Sequence, residues 1–203
     1  MKTKLLFLTL TALCTGALAA AEAPKVGAPA PNFSLLAADG KTYSLGNFKG
    51  KYVVLEWFNP GCPFVQKHYK SDNMQELQKQ FRGKDVVWLT IDSSAPGKQG
   101  YLTPDEANKQ MAEWKMDSTA LLLDPNGKVG HEYGATNTPH MYVIDPSGKL
   151  IYSGAIDDKP STDLDDVKTA NNYVKDALEE AMAGKPVTTP TSRAYGCSIK
   201  YAH

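Results

Sequence analysis

Cysteine is scarce in this chain: three in 203 residues, at Cys14, Cys62 and Cys197. That count excludes the disulfide-dense scaffolds that small secreted domains build from many bridges. Charge of one sign is lacking too, with 22 basic residues against 22 acidic ones. No electrostatic footprint for nucleic acid is therefore present. Repeats and low-complexity blocks are absent. The apolar run at residues 5–13 is shorter than the roughly 20 residues that cross a bilayer, so no membrane span is expected.

That run has another reading. Lys2 and Lys4 precede it and Ala17-Leu18-Ala19 follows it, which is the layout of a secretory signal cleaved close to Ala21. Cys14 lies inside the run and would leave with it. Leu13, where lipid attachment wants a small residue, argues against acylation of Cys14. The expected organisation is a signal at residues 1–21, one domain at 22–184 and a tail at 185–203. The mature protein would be periplasmic or extracellular, with two cysteines where disulfides persist. Its length, about 180 residues, suffices for one full core. Acidic residues gather at Asp157, Asp158, Asp163, Asp165 and Asp166. No Ca2+-loop spacing accompanies them, so they read as a solvated loop and helix start.

Periodicity and turn signals give the coarse architecture. Residues 33–36 and 42–45 flank Asp39-Gly40 and predict a hairpin. Residues 52–58 form an apolar run suited to a buried central strand. Pro63 fits the first position of a helix running to about Arg82. Residues 85–91 follow as a strand. Thr103-Pro104-Asp105-Glu106 forms a capping box opening a helix to about Trp114. Residues 120–123 predict a strand, 141–144 and 150–156 a second hairpin, and 163–183 a long helix. The tail, with Pro186, Pro190 and Gly196, reads as irregular. This order describes an α/β domain with a central mixed β-sheet flanked by helices.

Cys62 stands where the apolar strand gives way to the helix that Pro63 begins. Unpaired N–H groups and the macrodipole favour an anion there, so a thiol in this place titrates below its usual 8.5, toward about 3.5–7.5. Lys67 and His68, one turn on, read as a solvated helix face. Glu56 interrupts the strand six residues before Cys62. Its burial is costly without a partner and would raise its pKa; pointing outward, or pairing with Lys51, is the alternative.

The run Phe58-Asn59-Pro60-Gly61-Cys62-Pro63-Phe64-Val65 and the later Asn137-Thr138-Pro139 before a strand resemble the thioredoxin fold. Ala30-Pro31-Asn32-Phe33-Ser34-Leu35 and Phe48-Lys49-Gly50-Lys51-Tyr52-Val53-Val54-Leu55 are similar to its redoxin (AhpC/TSA-like) branch. Gly61 to Val65, with Tyr195-Gly196-Cys197-Ser198 near the end, match an exported, peroxiredoxin-like group. The resemblance covers residues 26–183. It implies a thioredoxin fold with an N-terminal hairpin extension, and an oxidoreductase with Cys62 in the attacking position. It makes Glu56 a candidate for proton transfer and Pro139 a cis-proline, with the Thr138 backbone ready to pair with an incoming peptide. Pro63 and Phe64 would complete that binding face, Phe64 and Trp57 chiefly by packing. His140 stays a secondary candidate.

Val65 replaces the second cysteine of a Cys-x-x-Cys pair. It also stands where a peroxiredoxin has its peroxidatic cysteine, and the threonine of that pattern is missing. The leading expectation is thiol–disulfide exchange, with Cys62 as nucleophile and Cys197, on a mobile arm, as its partner. A thiol peroxidase with a Cys62 sulfenate resolved by Cys197 is the alternative. A third reading is an inert Cys62–Cys197 staple closing about 135 residues, worth roughly 5 kcal/mol by loop entropy. Copper delivery would need Cys62, Cys197 and His140 to converge. No cofactor or metal is expected. The partner would be a thiol- or disulfide-bearing protein, a small-molecule thiol or a peroxide.

Overall fold

The computed structural model describes residues 23–202; the expected signal, with Cys14, lies outside them. β1 (Ser34–Ala37) and β2 (Thr42–Ser44) form the first hairpin, with Leu35 opposite Tyr43. β3 (Val53–Trp57) leads to α1 (Pro63–Lys70), α2 (Asn73–Arg82) and β4 (Val87–Asp92). α3 (Pro104–Glu113), β5 (Ala120–Leu123), α4 (Lys128–Tyr133) and β6 (Asn137–Thr138) follow. β7 (His140–Ile144) and β8 (Leu150–Gly154) make the second hairpin, and α5 (Tyr173–Met182) and β9 (Cys197–Ser198) complete the chain.

Seven strands form one sheet in the order β2-β1-β5-β4-β3-β7-β8. β3, β4 and β5 run parallel, while β1 and β7 join them antiparallel. The sheet is therefore mixed, as expected. β3, β4 and β7 are buried along their whole length, which is why their sequences read as continuous runs. Side chains alternate across β3. Val53, Leu55 and Trp57 enter a core with Phe33, Tyr133 of α4 and Tyr142. Val54 and Phe58 enter the opposite core with Val65, Tyr69, Phe81 and Leu178 from α1, α2 and α5.

Two expectations need correction. The helix expected over residues 63–82 breaks into α1 and α2. Asp72 takes a left-handed conformation at φ 60°, which aspartate tolerates, and the Ser71 hydroxyl closes the end of α1 on Lys67 O at 2.7 Å. The helix expected from residue 163 starts only at Tyr173, because Asn172 caps it and pairs with Asp157. A 3-10 turn, Asp165–Lys168, is all that forms before it. The tail is mostly irregular, as expected, but it is docked on the domain. Its β9 pairs with β6, Ile199 is buried, and Ala95 N donates to Lys200 O at 2.8 Å. The capping box at Thr103 and Glu106 forms as read.

Candidate active site

The turn after β3 is fixed from inside. Asn59 is buried, its Oδ1 accepts from Gly61 N at 2.8 Å, and its carbonyl accepts from Cys62 N at 3.1 Å. Cys62 is thereby set at the N-cap of α1, Pro63 occupies the first turn, and Cys62 O accepts from Gln66 N.

Cys62 is fully buried, and its Sγ donates to Thr138 O at 3.0 Å. The Thr138–Pro139 peptide is cis. Thr138 lies in β6, and its partner across the β6–β9 ladder is Cys197. Asn137 Nδ2 donates to Gly196 O at 3.0 Å and steadies that strand. Cys197 is half-buried, and its thiol hydrogen-bonds to Cys62; neither cysteine is bridged. The edge of β6 expected to receive a substrate strand is thus occupied by the protein's own tail.

The two sulfurs differ in electrostatics. Burial pushes the Cys62 thiol up, but hydrogen bonds from the Cys197 thiol, Thr138 and the Val65 and Cys197 backbones outweigh it and hold Cys62 below its ordinary value. Cys197 is pushed up to about 11, first by burial and then by Cys62. Within this coupled pair, the first proton leaves from Cys62. The better leaving group is therefore the buried sulfur, and the reachable one is Cys197.

Lys67, His68 and Asp157 are corrections, since all three are buried. The tail and the crossing after β8 cover the face of α1 that would otherwise be solvated. Lys67 Nζ donates to Lys159 O at 2.8 Å and lies 3.8 Å from Asp157 Oδ2. Burial, then the Lys67 charge, drives His68 down to about 3, so its ring is neutral. Tyr195, quoted in the sequence only as part of a motif, donates from its hydroxyl to Asp157 and packs its ring edge-on against Phe64.

Glu56 is buried, and neither outward exposure nor pairing with Lys51 describes it; Lys51 pairs with Asp85. Its carboxylate accepts from Tyr69 Oη at 2.8 Å, Trp88 Nε1 at 2.9 Å, Thr90 Oγ1 at 3.1 Å and Gln78 Nε2 at 3.2 Å. No hydrogen bond joins it to either sulfur among the described residues. Burial raises its pKa against those four donors. A raised folded-state pKa means that Glu56 favours folding below its ordinary value of 4.5 and that this contribution is lost as pH rises through the folded pKa. Glu56→Gln is accordingly expected to gain thermal stability relative to the unsubstituted protein as pH is raised above 4.5. Parallel melting curves across that range would contradict it.

Trp57 packs against Tyr133 and Tyr142 and donates to Ser93 Oγ. His140 stacks on Tyr142, and burial lowers it to about 4. No group of three His, Cys, Asp or Glu side chains able to share a metal ion occurs among the described residues. Cys62, Cys197 and His140 therefore form no such set.

A redoxin family model matches residues 25–174. The chain belongs to the redoxin family. It is 28% identical over 130 residues to the thiol-disulfide oxidoreductase ResA of Bacillus thuringiensis subsp. konkukian, covering 64% of this chain and 69% of that protein. It is 31% identical over 138 residues to the chloroplastic peroxiredoxin Q of Triticum aestivum, covering 58% of this chain and 62% of that one. The thioredoxin domain of a thiol-disulfide oxidoreductase from Bacteroides vulgatus superposes with a TM-score of 0.52 at 22% identity, over 71% of this chain and 96% of that one. The fold is the thioredoxin fold, and the redoxin's relatives are oxidoreductases of thiol and peroxide chemistry. Tyr195 and Cys197 lie beyond the matched residues.

Proposed function

We propose that this redoxin is an exported thiol–disulfide oxidoreductase in which Cys62 and Cys197 exchange. The observation that carries the reading is the β6–β9 pairing, which sets Cys197 across Thr138 with its thiol on Cys62. In the oxidised protein, an external thiolate attacks Cys197 Sγ, the Cys62–Cys197 bond breaks, and Cys62 leaves as the thiolate. A second thiolate attacks the same external sulfur. Its disulfide product departs, and Cys197 takes up a proton. Toward a substrate disulfide, the Cys62 thiolate attacks one substrate sulfur, and the other leaves and takes up a proton. Cys197 then gives up its proton and attacks Cys62 Sγ, closing the bridge and releasing the second substrate thiol. Cys62 reaches a large substrate directly once β9 leaves β6 and an extended peptide pairs with Thr138 beside Pro139, Pro63 and Phe64. Glu56 serves this reading as a buried acid behind the pair rather than a group on the sulfur. Export, to the periplasm or beyond, rests on the charge and apolar pattern of residues 1–21.

A thiol peroxidase is the second reading, favoured by the peroxiredoxin Q relative. There, peroxide would oxidise Cys62 to a sulfenic acid with release of an alcohol or water, and Cys197 would condense with it, losing water. The deciding experiment offers the reduced protein either a peptide disulfide or hydrogen peroxide with a sulfenate trap. Exchange predicts rapid peptide reduction with little trapped sulfenate. Rapid stoichiometric trapping at Cys62 with slow peptide reduction would overturn it.

A further inference from the structure

Besides the contacts that Ile199, Lys200 and Tyr201 make beyond β9, three anchors hold the tail around Cys197. Ser192 Oγ accepts from Ala155 N at 2.9 Å and meets Tyr152 Oη at 2.6 Å. β9 pairs with β6, and Tyr195 enters the buried cluster of Lys67, His68 and Asp157. Of these anchors, only the Tyr195 one rests on charged groups. It also stands two residues from Cys197, while Lys67, His68 and Phe64 belong to the helix that Cys62 caps. The cluster therefore ties the carrier of one sulfur to the carrier of the other.

Its hydrogen bonds run in one direction. Asn73 Nδ2 donates to His68 Nδ1 at 2.9 Å, which leaves the neutral ring to donate from Nε2 to Tyr195 Oη at 3.3 Å. Tyr195 in turn donates to Asp157 Oδ1, whose carboxylate also accepts from Lys159 N at 3.0 Å. Lys67 Nζ lies 3.8 Å from the other carboxylate oxygen and 5.6 Å from the Tyr195 ring centroid. A two-residue strand defines its own register weakly. A hydroxyl that must meet one carboxylate oxygen defines it sharply, whereas an apolar contact would tolerate sliding. A buried ion pair is weak evidence for stability, and fixing a register is its best-attested use.

We infer that Tyr195 and Asp157 are positioning residues: together with Lys67 and His68 they form a catch that holds Cys197 and β9 over Cys62, and release of Tyr195 opens Cys62 to substrate. The inference rests on the proposed exchange reading and adds its regulation. Opening of the catch governs whether Cys62 faces Cys197 or an incoming peptide.

The test is the alkylation rate of Cys62 in the reduced full-length protein, read by mass mapping, for Tyr195→Phe, Asp157→Asn and the double variant. Tyr195→Phe is expected to raise the rate about tenfold with melting temperature little changed, and Asp157→Asn to raise the rate similarly but with a lowered melting temperature, because Lys67 loses its counter-charge. The double variant should exceed neither single by much, because both remove the same bond. The disulfide midpoint against glutathione should rise by at most about 30 mV, the equivalent of that tenfold change. An unchanged alkylation rate in Tyr195→Phe, or additive effects in the double variant, would overturn the catch. Absence of a Cys62–Cys197 disulfide in the unsubstituted protein would instead overturn the exchange reading, since alkylation is measured on reduced thiols.

Discussion

Gly196→Ala is expected to make Cys62 of the reduced protein about a hundredfold more reactive toward an alkylating reagent, the equivalent of roughly 3 kcal/mol of lost docking. A Cβ at Gly196 would stand 2.1 Å from Thr138 O and 2.9 Å from its carbonyl carbon. Those are backbone atoms, so no rotamer change relieves the collision. The residue also sits at φ +124°, where an L side chain is strained. Thr138 O is the same oxygen that accepts from Cys62 Sγ. The substitution therefore drives β9 off β6 without altering any atom of Cys62, Thr138 or Cys197. The Cys62–Cys197 midpoint should rise by about 60 mV, at about 30 mV per tenfold. A protein that folds, alkylates at the unsubstituted rate and keeps its midpoint would show that β9 does not guard Cys62.

Asp157→Ala is expected to cost about 3–5 kcal/mol of stability at neutral pH, read from urea unfolding, because it leaves a buried cation without its partner. Lys67 and Asp157 are both fully enclosed, with 0% and 1% of their side chains exposed. Removing the carboxylate also strands the Tyr195 hydroxyl, which loses its acceptor. Burial already pulls the Lys67 pKa down, against the opposing pull of Asp157. Without that carboxylate, Lys67 is driven further toward its neutral form. Lys67→Met in the Asp157→Ala background should recover a large part of the loss, since it removes the uncompensated charge. A small loss, or no recovery, would show that water reaches the cluster and that the ion pair is not isolated from solvent.

Much of the framework was legible because it is written in local signals. The buried runs became β3, β4 and β7, the two turn-flanked pairs became hairpins, and Thr103 with Glu106 capped α3. Cys62 and Pro63 fell at the N-terminus of α1, as the strand-to-helix switch requires. What escaped was set by tertiary cover. Lys67 and His68 lie on a helix whose flank is polar in pattern, and only the arrival of Asp157 and Tyr195 from distant segments buries them. Asp157 looked like one of five loop aspartates, although it directly follows Ile156 and the apolar β8. The tail is mostly irregular as read, but its docking strand β9 escaped because two residues leave no periodicity; its signal was Gly196, whose missing Cβ permits the close approach to Thr138. α4 is a six-residue helix between two left-handed glycines, too short to leave a clear pattern. Glu56 was legible as a buried acid. Its four donors were not, because they come from α1, α2 and β4.

The central claim is that Cys62 and Cys197 form a labile, exchanging pair. Its most direct test is a redox titration of the full-length protein against glutathione, with the Cys62–Cys197 bridge quantified by mass mapping at each potential. A labile pair titrates within the span of catalytic dithiols, about −270 to −120 mV. A bridge that stays closed below about −300 mV would identify a structural staple, and a protein that forms no such bridge at any potential would remove Cys197 from the chemistry.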